Sequence, residues 1–156
     1  MPYVMSLALQ AAGSTLDGDY AESAPGRHDT IQVLAYESRV EIPQGLAGDA
    51  GKRRHSPIAI RKPIDRSSPL LLRAMVQNQS LSAIFSCFDA AHSSARSEPF
   101  FIVKIAHARI VQLRQLLAAA TDGTISAQEE VHLAFESVTW ESVPGKVVIS
   151  DLGLQV

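Results

Sequence analysis

Short runs in which apolar and polar residues alternate fill most of this chain, and clusters of Gly, Pro, Asp and Ser separate them. A period of two predicts half-buried β-strands, and many short strands between turn signals predict a sandwich or barrel. The first strand runs from Tyr3 to Leu9, with Tyr3, Met5, Leu7 and Leu9 on one face. Ala12 to Arg27 carries Gly13, Gly18, Pro25 and Gly26 and reads as a loop. Ile31 to Glu37 alternates again. A long connection over about 38–57 follows, loosened by Gly45, Gly48 and Gly51 and closed by Lys52, Arg53, Arg54 and His55. A strand resumes over Pro57 to Lys62, with Ile58 and Ile60 on one face. Pro63 has no ladder donor, so that strand ends there or lies at an edge.

The next segment changes period. Ser67-Ser68-Pro69 predicts the start of a helix over about 68–79, with Ser68 as the cap and Pro69 at the first helical position. Leu71, Leu72, Met75 and Val76 then form one helical stripe, which must pack on the sheets. Further strands are predicted through Leu81–Asp89, through Phe101, Val103, Ile105 and His107, through Val131, Leu133 and Phe135, and over Lys146–Asp151. Ala90 to Pro99 and Ala120 to Gln128 are turn-rich. Arg109 to Ala120 breaks the rule: Ile110, Leu113, Leu116 and Leu117 stand at helical spacing ahead of Asp122-Gly123, and taken alone the segment reads as a helix. The class is mainly β, a two-sheet β-barrel or sandwich with one short flanking α-helix. Its 156 residues fit a single domain over 1–156.

Composition mainly excludes. Cys87 is alone, so there is no intramolecular disulfide and no Cys-rich zinc site. No apolar run approaches the roughly 20 residues of a membrane-spanning helix. Met1 to Ala12 is apolar, but the first cation is Arg27, so the charged start of a signal peptide is missing. If the protein leaves the cell, a route without a cleaved signal peptide is therefore expected to carry it.

Charge alters the picture more. Fourteen Lys and Arg against sixteen Asp and Glu give −2, too balanced for a general nucleic-acid binder. Yet residues 52–73 hold Lys52, Arg53, Arg54, Arg61, Lys62, Arg66 and Arg73 against Asp65 alone, a net of +6, and the remainder sums to −8. Lys52-Arg53-Arg54 lacks an interleaved aromatic platform, so a complementary protein surface suits it better than a nucleic acid.

Chemical machinery is sparse. His28, His55, His92, His107 and His132 form no metal-ligating pair at helical or strand spacing. Glu130 and His132 share one strand face, which reads as a solvated surface. No Gly-x-Ser-x-Gly elbow, phosphate loop or dinucleotide fingerprint occurs. Cys87, between Phe85 and Phe88, reads as a small buried hydrophobe. The chain is therefore expected to be no enzyme and to bind no metal or cofactor. The competing reading is a small monomeric β-barrel enzyme or ligand binder using His107, His132 or Cys87 in a pocket.

Several stretches, read in order, resemble Hcp, the haemolysin co-regulated protein family of bacterial type VI secretion. Asp29 to Tyr36 resembles the family's "E-I-x-V-L-x-W" strand, with Tyr36 at the aromatic place, and Arg54-His55-Ser56-Pro57 ends an extended Gly-containing loop. Lys62 to Leu71 is similar to the strand-to-helix signature, carried by Ile64, Asp65, Ser67, Ser68 and Pro69. Glu129 to Trp140 is similar to "E-x-V-x-L-x-F-x-x-I-x-W", carried by Val131, Leu133, Phe135 and Trp140. Arg61 and Pro63 depart from the pattern, as does the leucine content of Arg109 to Leu117, where the family usually runs a strand into a polar loop. Whether 109–120 is helix or strand plus loop stays open on the sequence.

The resemblance implies a barrel similar to phage tail-tube proteins, assembled as six-membered rings that stack into a tube. It implies a contractile sheath, a spike at the tip and small effectors in the lumen as partners, with no nucleic acid and no membrane insertion. It implies residence in the bacterial cytoplasm before firing and secretion or injection afterwards. Within the family, a dedicated effector carrier or a phage-like tube protein is the alternative task. A ring closes through unlike patches, which a +6 stretch and a −8 remainder suit. The expected subunit contacts are therefore Lys52, Arg53, Arg54 and His55 on the loop, and Leu113, Leu116 and Leu117 at an edge or between rings.

Overall fold

The structure is a computed structural model that describes residues 3–20, 29–43, 52–89 and 98–153. The loop glycines Gly45, Gly48 and Gly51 lie outside the described residues, as do 21–28 and 90–97. Among the described residues, twelve strands and one helix follow in chain order: β1 (Tyr3–Ala11), β2 (Ser14–Thr15), β3 (Ile31–Val33), β4 (Ala35–Glu37), β5 (Val40–Glu41), β6 (Arg54–His55), β7 (Ile58–Pro63), α1 (Ser67–Val76), β8 (Leu81–Asp89), β9 (Phe101–Ala119), β10 (Ile125–Ala134), β11 (Ser137–Ser142) and β12 (Val147–Leu152).

The pairing runs β2-β1-β8-β9-β10-β7-β4, with β11 also on β9 and β12 on β11. Every ladder is antiparallel. β9 is the hinge of the architecture. Its first part pairs with β8 and β11, and its second part pairs with β10. The turn from one sheet to the other is made by bulges. His107 adopts φ +51° where the β8 register slips between Leu81 and Ala83, and the β10 register slips again between His132 and Leu133. Extra residues of this kind bend and twist a strand. A second bridge is the 31–37 segment, which pairs with β1 through β3 and with β7 through β4. The result is the mainly β, two-sheet sandwich with one short helix that the alternation predicts.

The inward faces supply the core, including Leu7, Leu9, Ile31, Ile58, Ile60, Phe85, Val103, Ile105, Val131 and Leu133. These are the period-two positions read from the sequence, and their burial is the main favourable term in folding.

Three local readings need correction. Arg109 to Ala119 is strand throughout, as the second part of β9. Its leucine spacing fits a helix in isolation, but β10 offers a ladder from Arg109 to Ala119 that satisfies the backbone instead. Asp122-Gly123 forms the hairpin turn of the turn-rich 120–128 stretch, of which 125–128 already belong to β10: Gly123 takes φ +86° and Asp122 Oδ1 accepts from the Thr124 N–H and hydroxyl.

The helix is shorter than 68–79, and Ser68 lies inside it without capping it. The carboxylate of Asp65 takes the cap's place, accepting from the Ser67 N–H at 2.9 Å. At the other end Asn78 sits at φ +51°, with Asn78 N–H donating to the Met75 carbonyl and Gln79 N–H to that of Ala74, a left-handed stop. The buried face is also rotated, since α1 buries Leu71 and Ala74 while Leu72 and Val76 are exposed.

Candidate functional site

The residues of the strand-to-helix signature surround a buried ion pair. Lys62 lies on the face of β7 shared by Ile58 and Ile60, and Glu129 on the face of β10 shared by Val131 and Leu133, so both charges point inward. Each is fully buried, and Lys62 Nζ lies 2.6 Å from Glu129 Oε1. The ammonium also donates to the Pro63 carbonyl at 2.8 Å and to Asp65 Oδ1 at 3.0 Å, which uses its three protons. Ser68 Oγ donates to Glu129 Oε1 at 2.7 Å and accepts the Asp65 N–H at 3.0 Å. Gln115 Nε2 donates to the other Glu129 oxygen at 3.2 Å. Burial alone raises the Asp65 carboxyl, but bonds from Ser67 and Lys62 outweigh it and hold the group below its ordinary value. Four elements (β7, α1, β9 and β10) thus meet at one satisfied polar node.

The basic stretch is largely answered within the chain. Arg66 Nη2 lies 2.6 Å from Asp29 Oδ1 and its Nε donates to the Gly18 carbonyl at 2.8 Å, which fixes the start of α1 to the first loop. Arg61 and Arg114 flank Glu130 at 3.6 and 2.8 Å, and His132 meets its other oxygen at 2.7 Å. Those bonds, from His132 first and Arg114 next, lower the Glu130 carboxyl to about 2. Arg53 grips Asp151 with two bonds of 2.7 and 2.6 Å, and His55 Nε2 meets Asp151 Oδ2 at 2.7 Å. Lys52, Arg54 and Arg73 are exposed and have no acidic partner among the described residues. Of the expected loop contacts, Lys52 and Arg54 thus face outward, Arg53 is held on its own chain, and His55 is buried.

The three leucines on the second part of β9 do not act as one patch. Leu113 and Leu116 are half-buried on opposite faces and Leu117 is exposed. Leu113 joins Ile64, Pro69 and Leu72 in lining an open groove of about 530 Å³ above Asp65, Ser68 and Gln115. The stronger apolar surface is one that the sequence reading passed over. On β12, which pairs only with β11 among the described strands, Val147, Val148, Ile149 and Leu152 are all more than half exposed. Trp140, opposite Ile149 on β11, is partly exposed at its flank. Sequence could have flagged β12, because Val147-Val148-Ile149 puts apolar residues on both faces of a strand near the chain's end.

The residues of the rival pocket do not converge. His107 lines a shallow hollow of about 190 Å³ with Gln10, Ser80 and Ser82, and neither His132 nor Cys87 reaches it. Cys87 is half-buried, and burial pushes its thiol up, away from the reactive thiolate. Among the described residues no three His, Cys, Asp or Glu side chains are placed to share a metal ion.

Comparison with known proteins gives a consistent picture. A family model described as "Type VI secretion system effector, Hcp" matches residues 9–141. The "Major exported protein" of Pseudomonas aeruginosa is 24% identical over 150 residues, covering 89% of this chain and 87% of that protein. A variant of the Hcp1 protein from the E. coli EAEC 042 pathovar superposes with a TM-score of 0.83 at 26% identity, over 97% of this chain and 99% of its own. The secreted protein Hcp3 from Pseudomonas aeruginosa shares the fold with a TM-score of 0.78 at 18% identity, over 99% and 100% of the two chains.

Proposed function

The chain belongs to the Hcp family of type VI secretion system effectors, which are secreted tube proteins, and on that premise we propose that six copies close into a ring and that rings stack. The observation that carries this reading is β12, a sheet edge with apolar side chains exposed on both faces. Such an edge invites pairing with another chain, and an isolated monomer normally blunts it with charge, proline or a bulge. A second copy, presented through a different patch, covers it and propagates to closure.

In this reading the stem of the loop, with Lys52 and Arg54 outward and Arg53 and His55 beneath, approaches an acidic surface of a neighbouring copy. Leu113, Leu116 and Leu117 lie at a contact along or between rings. The ring carries small effectors in its lumen, fills in the cytoplasm, and leaves the cell under a contractile sheath behind a spike. The chain contributes structure and no catalysis of its own.

Negative-stain imaging with solution mass tests the assembly. Rings with a central hole and a mass about six times the chain's support it, and a monomer at micromolar concentration overturns it. Replacing Arg53 and Arg54 with Glu is expected to shift the size-exclusion peak towards smaller species. Rings of unchanged size would remove the loop from the contact. Hydrogen exchange of assembled tubes is expected to show protection over 109–117 relative to dissociated protein.

A further inference from the structure

The cluster around Asp151 belongs neither to the buried node nor to the exposed apolar edge. Arg53 and His55 stand two residues apart on the return leg of the 38–57 loop, Arg53 just ahead of β6 and His55 at its end. Both converge on one carboxylate of the last strand: Arg53 Nε and Nη2 take the two oxygens and His55 Nε2 shares the second. The His55 ring is buried edge-on against Phe135, 5.5 Å between centroids. Phe135 is in turn closed over by Gly153, where a Cβ would stand 2.4 Å from the ring. The rest of the stem is thin. β5 and β6 share a ladder of two residue pairs, Arg39 and Ser56 add one backbone and one side-chain bond, and Val40, Glu41, Lys52, Arg53 and Arg54 are exposed.

We propose that Asp151 is the positioning residue of the loop's return leg, a clamp that fixes residues 52–56 against the last strand. Two consequences follow from its placement. The return leg cannot leave that strand without releasing a charged, two-pronged Arg–carboxylate contact, whose fork geometry specifies orientation as well as distance. The clamp also sits on β12, the exposed edge strand, so the return leg and the edge are tied together. The inference rests on the assembly reading for its purpose and on the geometry alone for its existence.

Hydrogen exchange of Asp151→Asn tests it, read separately on assembled and dissociated fractions. The expected result is exchange at residues 53–56 about fivefold faster than in the parent protein, with residues 129–135 unchanged. The exchanged pair Arg53→Asp with Asp151→Arg is expected to restore protection to within about twofold, which loss of packing alone would not allow. Should Asp151→Asn not fold, Arg53→Gln, at an exposed side chain, gives the same reading. Unchanged exchange at 53–56 in either folded variant, or no recovery in a folded exchanged pair, overturns the clamp. Because the dissociated fraction reports the clamp without rings, failure of the ring reading leaves a distinct result.

Discussion

Among the ion pairs that join distant parts of this chain, two behave as opposites. Lys62 and Glu129 lie in the core with every proton and oxygen matched, whereas Arg53 and Asp151 sit at the surface, with Arg53 more than half exposed. The distances are the same, 2.6 Å in each. Environment, not geometry, separates them. A buried charge without its partner cannot recover hydration, so the inner pair is all-or-none. A surface charge that loses its partner turns to water, so the outer pair directs a segment and adds little to global stability. One pair holds the fold together; the other pins the return leg of a loop.

The largest effect expected from this contrast is at Glu129. Glu129→Ala leaves the buried Lys62 ammonium with Asp65 and the Pro63 carbonyl but without its 2.6 Å partner, and is expected to cost about 3–5 kcal/mol in urea unfolding. A loss below about 1 kcal/mol would mean that the node relaxes or admits water, and the contrast would fail. Next comes Gly153→Ala, whose added methyl meets the Phe135 ring and backbone; overpacking there is expected to cost about 1–3 kcal/mol. That substitution probes the floor on which His55 rests. If His55 exchange rises while the Lys62 node is untouched, the two regions are independent, and a shared response would join them.

Salt sharpens the comparison without mutation. Raising NaCl from 0.05 to 1 M shortens the screening length to about 3 Å. Exchange at 53–56 is expected to quicken, while β7 and β10 stay as they are. Acid gives the smallest effect. The folded Glu130 carboxyl, at about 2, lies below the ordinary unfolded value of about 4.3. Its contribution is therefore full above about pH 4.3 and fades as pH falls towards 2. The difference in urea midpoint between pH 5 and pH 3 is expected to shrink slightly in Glu130→Gln; identical differences would show that the surface ladder is silent.

Much of this architecture was legible as a pattern. Period-two alternation located the strands because one face of each is buried, and Leu7, Phe85, Val103 and Val131 are where it placed them. The second part of β9 escaped because Leu113, Leu116 and Leu117 satisfy a helical stripe as well as two faces of a strand. Only its ladder with β10, a long-range fact, decides between them. The hairpin was still visible in Asp122-Gly123, inside a stretch whose composition is turn-rich. The ion pair was hidden differently. Lys62 follows Ile58 and Ile60 in register, and Glu129 precedes Val131 and Leu133, so each charge stands at an inward position. Two opposite charges on apolar faces announce a buried pair, and the motif residues Asp65 and Ser68 are its remaining bonds. The exposed contacts were least legible, since nothing local tells Arg53, which is held by Asp151 ninety-eight residues away, from Arg54, which faces outward.

β9 carries one more implication. Nineteen residues of strand amount to roughly 60 Å of contour at about 3.3 Å per residue, and that one backbone, bent at His107, serves both sheets. Tension along that backbone loads its flanking ladders in shear, many hydrogen bonds at once, whereas a terminal strand pulled sideways peels one bond at a time. The molecule is thus stiffest along β9 and softer at its margins.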